Sequence, residues 1–155
     1  NKRISIFNSY KRFKMGKKLL SKIKITPLKI VKMSTGNIMH ALSKNELINQ
    51  TFSEAYFSKI KSGKIKAWKY HLKMTLNLVV PQGKVKFVFY SQKDKNFKIV
   101  EIGEKKYLRL TVPPKIWFGF KGISKHESII LNVTNIKHNS KEILRCKKNE
   151  IDFYW

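Results

Sequence analysis

Along residues 66–83, Lys-Ala-Trp-Lys-Tyr-His-Leu-Lys-Met-Thr-Leu-Asn-Leu-Val-Val-Pro-Gln-Gly, polar and apolar residues alternate with a period of two. Lys69, His71, Lys73, Thr75 and Asn77 fall on one side; Tyr70, Leu72, Met74, Leu76 and Leu78 fall on the other, as successive side chains of a strand do. The pattern predicts a half-buried strand. Its polar row admits two readings: a face given to solvent with one incidental histidine, or the wall of a polar pocket. The second is open because the row carries an imidazole, an ammonium, a hydroxyl and an amide in succession.

Period two returns at residues 84–90, 107–112 and 129–135, all rich in β-branched or aromatic residues. Turn residues cut the chain into pieces of strand length: Gly36-Asn37, Ser62-Gly63, Pro81-Gln-Gly83, Asp94-Lys-Asn96, Gly103-Glu104, Pro113-Pro114 and Gly122. Ser43 and Glu46 have capping-box spacing and predict a helix near 43–50. Many short strands with little helix predict an all-β antiparallel barrel of jelly-roll type. Residues 1–22 read differently, with basic residues dense among Phe7, Tyr10, Phe13, Leu19 and Leu20. Ser9 can cap a short amphipathic helix there, which Pro27 stops from continuing. The predicted organisation is a basic N-terminal extension over 1–22, lying on a membrane surface or packed on a partner, followed by one jelly-roll domain over 23–155.

Composition changes this picture in two places. The chain has 155 residues, is 42% hydrophobic and carries a formal net charge of +25, which first points to a polyanionic partner. Of its 34 basic residues, however, only Arg3, Arg12, Arg109 and Arg145 are arginine, the residue that clamps phosphates and base edges in two-pronged fashion. The charge therefore reads chiefly as a solvated lysine surface, with no specific nucleic-acid partner expected. Cys146 is the single cysteine, which excludes an intramolecular disulfide and a cysteine-based zinc site and suits a reducing cytoplasm. No apolar run approaches the roughly 18 residues of a spanning helix, so no transmembrane segment is expected.

The order of motifs carries a resemblance. Ile25-Thr-Pro-Leu-Lys29, Gly36-Asn-Ile-Met-His-Ala-Leu42, Glu54-Ala-Tyr-Phe-Ser58, the 66–77 stretch, Val80-Pro-Gln-Gly83, Leu110-Thr-Val-Pro-Pro114, Trp117-Phe-Gly-Phe120 and Asp152-Phe-Tyr-Trp155 follow one another along residues 22–155. Together they resemble the dTDP-4-dehydrorhamnose 3,5-epimerase family and related sugar-nucleotide-modifying cupins. The resemblance implies a cupin-type jelly roll, a homodimer, and a nucleotide-linked 4-keto sugar on the inner barrel face. No cofactor is implied. It places His71 as the base that removes a proton beside the ketone, and Lys73, on the same strand face, as the cation that steadies the enolate oxygen. Tyr56 and Ser58 match a substrate-lining strand, and Asn77 and Asn132 are further candidate contacts. Arg109, with Lys66 or Lys69, is the expected diphosphate partner.

Three positions depart from the family pattern. Leu131 stands where a tyrosine supplies the opposing acid; Lys148 stands where a carboxylate orients the histidine, with Glu150 beside it as a substitute; and Phe118 stands where the proline turn carries a further histidine. With Lys69 two residues before His71, and Phe118 in that turn, a cupin metal site is not expected. His40, His126 and His138 read as structural or surface histidines. The resemblance thus implies a cytoplasmic epimerase of nucleotide-linked 4-keto sugars serving surface-glycan biosynthesis. A 3,4-ketoisomerase on the same substrate class, an enzyme using another acid such as Tyr154, and a non-catalytic binder of anionic glycans or nucleic acid stay open.

Overall fold

The computed structural model describes residues 18–47 and 51–155. The N-terminal helix expected after Ser9 lies outside them. Among the described residues twelve strands follow in chain order: β1 (Lys24–Pro27), β2 (Ile30–Val31), β3 (Ile38–Met39), β4 (Glu54–Ile60), β5 (Ile65–His71), β6 (Leu76–Gln82), β7 (Lys84–Ser91), β8 (Asn96–Gly103), β9 (Leu108–Val112), β10 (Trp117–Gly122), β11 (Ser128–Thr134) and β12 (Ile143–Arg145). They form two five-stranded antiparallel sheets, ordered β1-β9-β6-β11-β4 and β12-β5-β10-β7-β8, with β2 and β3 as a separate pair. This is the expected jelly roll. The capping box at Ser43 is present, closing a single 3₁₀ turn over Lys44–Glu46, while residues 48–50 lie outside the described range.

Register decides which residues look inward. Between β6 and β9 the partners are Leu76↔Val112, Asn77↔Thr111, Leu78↔Leu110 and Val79↔Arg109. Leu76, Leu78, Val80, Leu110 and Val112 join Phe87, Phe89, Phe118 and Phe120 of the other sheet in one buried cluster, so theirs is the inner face. Asn77, Val79, Arg109 and Thr111 therefore belong to the outer face. On β11 and β4 the pairs Ile130↔Ser58 and Asn132↔Tyr56 face inward, because Asn132 also stands opposite Leu78 of β6. Leu131, opposite Val79 and Phe57, faces outward.

The long strand expected over 66–83 is two strands. β5 ends at His71 and β6 begins at Leu76, in the other sheet. Alternation fails between them: Leu72 and Lys73 are both exposed, while Met74 and Thr75 are both buried. A bulge accompanies β5, which spans Lys66 to Lys69 while β10 spans only Phe120 to Phe118. The extra residue turns Trp68 outward, and Lys69 and His71 inward beside Phe118. On the outer face Trp68 packs with Val88, Ile151, Phe153 and Trp155, so the chain's last residues cover that sheet.

Candidate active site

His71 closes β5 on the inner face, its ring stacked on Phe118 with centroids 5.8 Å apart. Phe118, at the position where the family pattern has a histidine, thus forms an apolar wall against the imidazole. His71 is 5% exposed, and its Nδ1 lies 2.7 Å from Oε2 of Glu142. The other carboxylate oxygen, Oε1, accepts the backbone N–H groups of Lys73 at 2.7 Å and Met74 at 2.8 Å. The 72–75 connection is therefore a cradle: it leaves the sheet so that its amides can hold a carboxylate against the imidazole. The Leu72 N–H donates to the carbonyl of Glu142, and the Lys115 N–H to that of His71, fixing both backbones.

This arrangement selects a tautomer. A carboxylate that already accepts two N–H donors takes the Nδ1 proton of a neutral imidazole as its third, leaving the lone pair on Nε2. Burial pushes the His71 pKa below its ordinary value of 6.5, against the opposing pull of Glu142. Burial also works against ionisation of Glu142, but its hydrogen bonds from His71, Lys73 and Met74 outweigh that and hold its pKa below the usual range. At neutral pH the pair is a neutral imidazole on a carboxylate, the form of a general base.

Glu142, not Glu150, is the orienting carboxylate, which corrects the expectation from sequence. Glu150 is exposed on the C-terminal turn, where Oε1 accepts the backbone N–H of Lys147 at 2.6 Å. Lys73 needs the same correction: it lies beyond β5 with an exposed side chain, and its contribution to the site is its backbone N–H. Lys69 is the lysine that shares the inner face with His71. Burial first, then the charges of Arg145 and Lys66, lower its pKa, and none of the ion pairs among the described residues involves it.

Two proposed substrate contacts are structural. Asn77 faces outward, accepting from Thr111 Oγ1 at 2.8 Å and donating to the Val133 carbonyl at 3.2 Å. Arg109 is 2% exposed on the same outer face, where Nη1 donates to the Ala41 carbonyl and Nη2 to Oε1 of Glu46, both at 2.9 Å. Its guanidinium pins the 41–46 segment to the sheet. Leu131 faces outward too, so it does not occupy an acid's place in the chamber, and Tyr154 is 98% exposed. Tyr56, Ser58 and Asn132 do line the inner face opposite β5, with Asn132 Nδ2 donating to Tyr56 Oη at 2.9 Å. His40, His126 and His138 are exposed, and among the described residues no three His, Cys, Asp or Glu side chains cluster as metal ligands would.

No family model and no curated protein matches the sequence. Solved structures do. A dTDP sugar isomerase from Desulfovibrio desulfuricans G20 superposes with a TM-score of 0.82 at 28% identity, over 86% of this chain and 90% of its own. A dTDP-4-dehydrorhamnose 3,5-epimerase from Bacillus anthracis str. Ames, solved with TDP and PPi bound, gives 0.76 at 16% identity over 91% and 88%. The chain shares its fold with the dTDP sugar isomerases and dTDP-4-dehydrorhamnose 3,5-epimerases, the family its motifs resemble. A sugar 3,4-ketoisomerase from Thermoanaerobacterium thermosaccharolyticum, in complex with TDP, has the same fold at 0.71 and 16% identity, over 85% of this chain and 93% of its own. Within this shared fold, the inner face of the present chain presents His71 with Glu142 on one sheet and Tyr56 with Asn132 on the other.

Glu142 escaped sequence reasoning because it lies 71 residues from His71 and outside any strand pattern. The local signal was Asn139-Ser-Lys-Glu142, where the Asn139 side chain caps a 3₁₀ turn by accepting the Lys141 N–H. A buried carboxylate in a chain with nine acidic residues among 34 basic ones would have been the clue, but burial is not visible in that tetrapeptide.

Proposed function

We propose that this protein is an isomerase that removes and returns a proton at the carbon beside the ketone of a nucleotide-linked 4-keto sugar. The observation that carries the reading is the buried His71–Glu142 pair on the inner barrel face, with Nε2 of His71 making no hydrogen bond among the described residues. The neutral imidazole takes the α-proton, the electron pair moves to the ketone oxygen as an enolate, and a proton returns to carbon. Lys69, flanked by Arg145 and Lys66, supplies positive charge beside the base, where a diphosphate or a developing enolate is attracted. A structural relative named as a dTDP sugar isomerase and a 3,4-ketoisomerase variant solved with TDP-4-keto-6-deoxyglucose support this substrate class.

Epimerisation is the reading we favour, because polar groups stand on both sheets around one chamber. Ketoisomerisation instead takes a proton from one carbon and returns it to the neighbouring former ketone carbon, and the fold shared with a 3,4-ketoisomerase keeps it as the second reading. A homodimer, a cytoplasmic setting and a role in surface-glycan biosynthesis complete the proposal. The lysine excess makes duplex DNA a weak, non-selective ligand whose affinity collapses between roughly 50 and 200 mM salt.

The test is deuterium wash-in. The full chain is incubated in heavy water with a panel of nucleotide keto-sugars headed by TDP-4-keto-6-deoxyglucose, and mass spectrometry with NMR locates the label. Label at a carbon adjacent to the ketone, lost in His71→Asn, is the expected result. No wash-in from any keto-sugar, with TDP binding intact, would falsify the isomerase reading.

A further inference from the structure

Epimerisation requires a proton to leave one face of the sugar ring and another to arrive from the opposite face. His71 sits on the β12-β5-β10-β7-β8 sheet, so the second group belongs on the sheet that faces it. The position that the family pattern gives to a tyrosine holds Leu131, which faces outward, and Tyr154 is almost fully exposed. Neither delivers a proton into the chamber. We infer that Tyr56 of β4 is the proton donor on the opposite face and that Asn132 of β11 positions it. The assignment rests on the isomerase reading above.

Three observations converge on this pair. First, Tyr56 is paired with Asn132, on the inner face of the sheet opposite His71. β4 and β5 diverge from the 61–64 turn into different sheets, and Tyr56 lies four residues before Ile60, the end of β4, as Lys69 lies four after Ile65, the start of β5. Tyr56 and the Lys69–His71 segment therefore stand at like distances from the turn. Second, the Tyr56 oxygen accepts from Asn132 Nδ2 at 2.9 Å and makes no other hydrogen bond among the described residues. Its lone pair is engaged and its O–H proton is the part left for a ligand. The amide N–H also stabilises the phenolate that remains once that proton has gone. Third, Asn132 is 4% exposed, and its Oδ1 is buried without a partner. A buried amide oxygen left unpaired is destabilising, and a donor such as a sugar hydroxyl relieves it.

The step balances. The C–H bond beside the ketone breaks, its proton forms N–H at His71 Nε2, and its electron pair forms the enolate. The enolate carbon then takes the Tyr56 proton on its other face, forming a new C–H bond as the ketone re-forms. A phenolate and an imidazolium remain, and exchange with solvent returns both to their starting states.

The experiment separates exchange from inversion. TDP-4-keto-6-deoxyglucose in heavy water is followed by NMR for deuterium at the α-carbons and for the inverted product, with TDP affinity measured in parallel. In Tyr56→Phe, wash-in catalysed by His71 should persist within about tenfold, with the label returned on the original face. Inversion should fall by 10² or more, the scale of a lost general acid. Asn132→Ala should shift the same ratio of exchange to inversion in the same direction, and Asn132→Gln should restore part of it. Wild-type inversion in Tyr56→Phe overturns the assignment. Equal loss of exchange and inversion in a folded, TDP-binding Tyr56→Phe also overturns it, because that marks a binding or packing role. Absence of exchange in the unsubstituted protein would remove the isomerase reading itself and this assignment with it.

Discussion

Replacing Glu142 by glutamine isolates what the carboxylate does for His71. The substitution keeps shape and volume, so the consequences follow from hydrogen-bond bookkeeping. One oxygen of the native carboxylate takes two backbone donors, from Lys73 at 2.7 Å and Met74 at 2.8 Å, and the other takes His71 Nδ1 at 2.7 Å. A glutamine satisfies both backbone donors only by turning its single oxygen toward them. Its NH₂ group then faces Nδ1, which must become an acceptor. The imidazole is driven to the tautomer with its proton on Nε2, the atom that should be the base. The opposite rotamer sets an NH₂ against two N–H groups in a buried site and costs about 1–3 kcal/mol for each unsatisfied donor.

Glu142→Gln should therefore fold and bind TDP nearly as the native protein does, yet lose on the order of 10³–10⁴ in the rate of α-proton exchange. That is the scale observed when the orienting carboxylate of a catalytic histidine becomes an amide, and it corresponds to about 4–5.5 kcal/mol of transition-state stabilisation. Single-turnover exchange in heavy water measures the rate, and ¹⁵N-resolved NMR of His71 reports which ring nitrogen carries the proton. Because burial holds the His71 pKa below 6.5, native exchange should be constant through neutrality and decline only in acid below that value. Exchange at the native rate in Glu142→Gln, or an Nδ1-protonated His71 in that variant, would refute the reasoning.

Lys69→Met should weaken TDP binding or slow exchange by roughly 10–100-fold, the worth of one charge-assisted hydrogen bond. Lys73→Ala should remain within a few-fold of native, and titration calorimetry with the exchange assay distinguishes them. Glu46 has its pKa lowered to about 2, chiefly by its hydrogen bond to Arg109. A depressed carboxylate contributes stability above its unfolded pKa that is lost as pH falls through the folded one, so the melting temperature should drop between about pH 4.5 and 2 by more than in Glu46→Gln. The effect is modest because the Glu46 side chain is 37% exposed, and identical pH–melting curves would count against it. Gly122→Ala would set a Cβ 2.6 Å from the Lys61 carbonyl oxygen at the turn joining β4 to β5. A loss of about 1–3 kcal/mol in denaturant unfolding is expected, and an unchanged midpoint would show that the turn gives way.

Alternation made the fold legible because each strand in a two-sheet barrel has one face committed to the core. That constraint is strict enough to recover β7, β9 and β11 nearly residue for residue and to set Lys69 and His71 on one face of β5, whereas Tyr56 and Ser58 came from the family resemblance and the inner side of each strand became visible only in the fold. It failed wherever parity was carried across a break or read as polarity. Lys73 and Asn77 have the parity of His71, but the chain leaves one sheet after His71 and enters the other at Leu76, so the count restarts. Arg109 looked like a phosphate ligand because a polar residue on a strand normally faces water or a site. Here the outer face is itself roofed by the 41–46 segment, and the guanidinium serves that roof. Glu142 lay beyond periodicity altogether, since a contact spanning 71 residues depends on where β12 docks beside β5. The pairing Ile143↔His71 sets the residue before Ile143 alongside the end of β5, where the backbone amides of Lys73 and Met74 meet its carboxylate. A one-residue change in β12 register would move Glu142 away from the imidazole and leave His71 an ordinary buried histidine. The chemistry of the site therefore depends on a short edge strand, and substitutions that loosen β12 should reduce exchange before they reduce TDP binding.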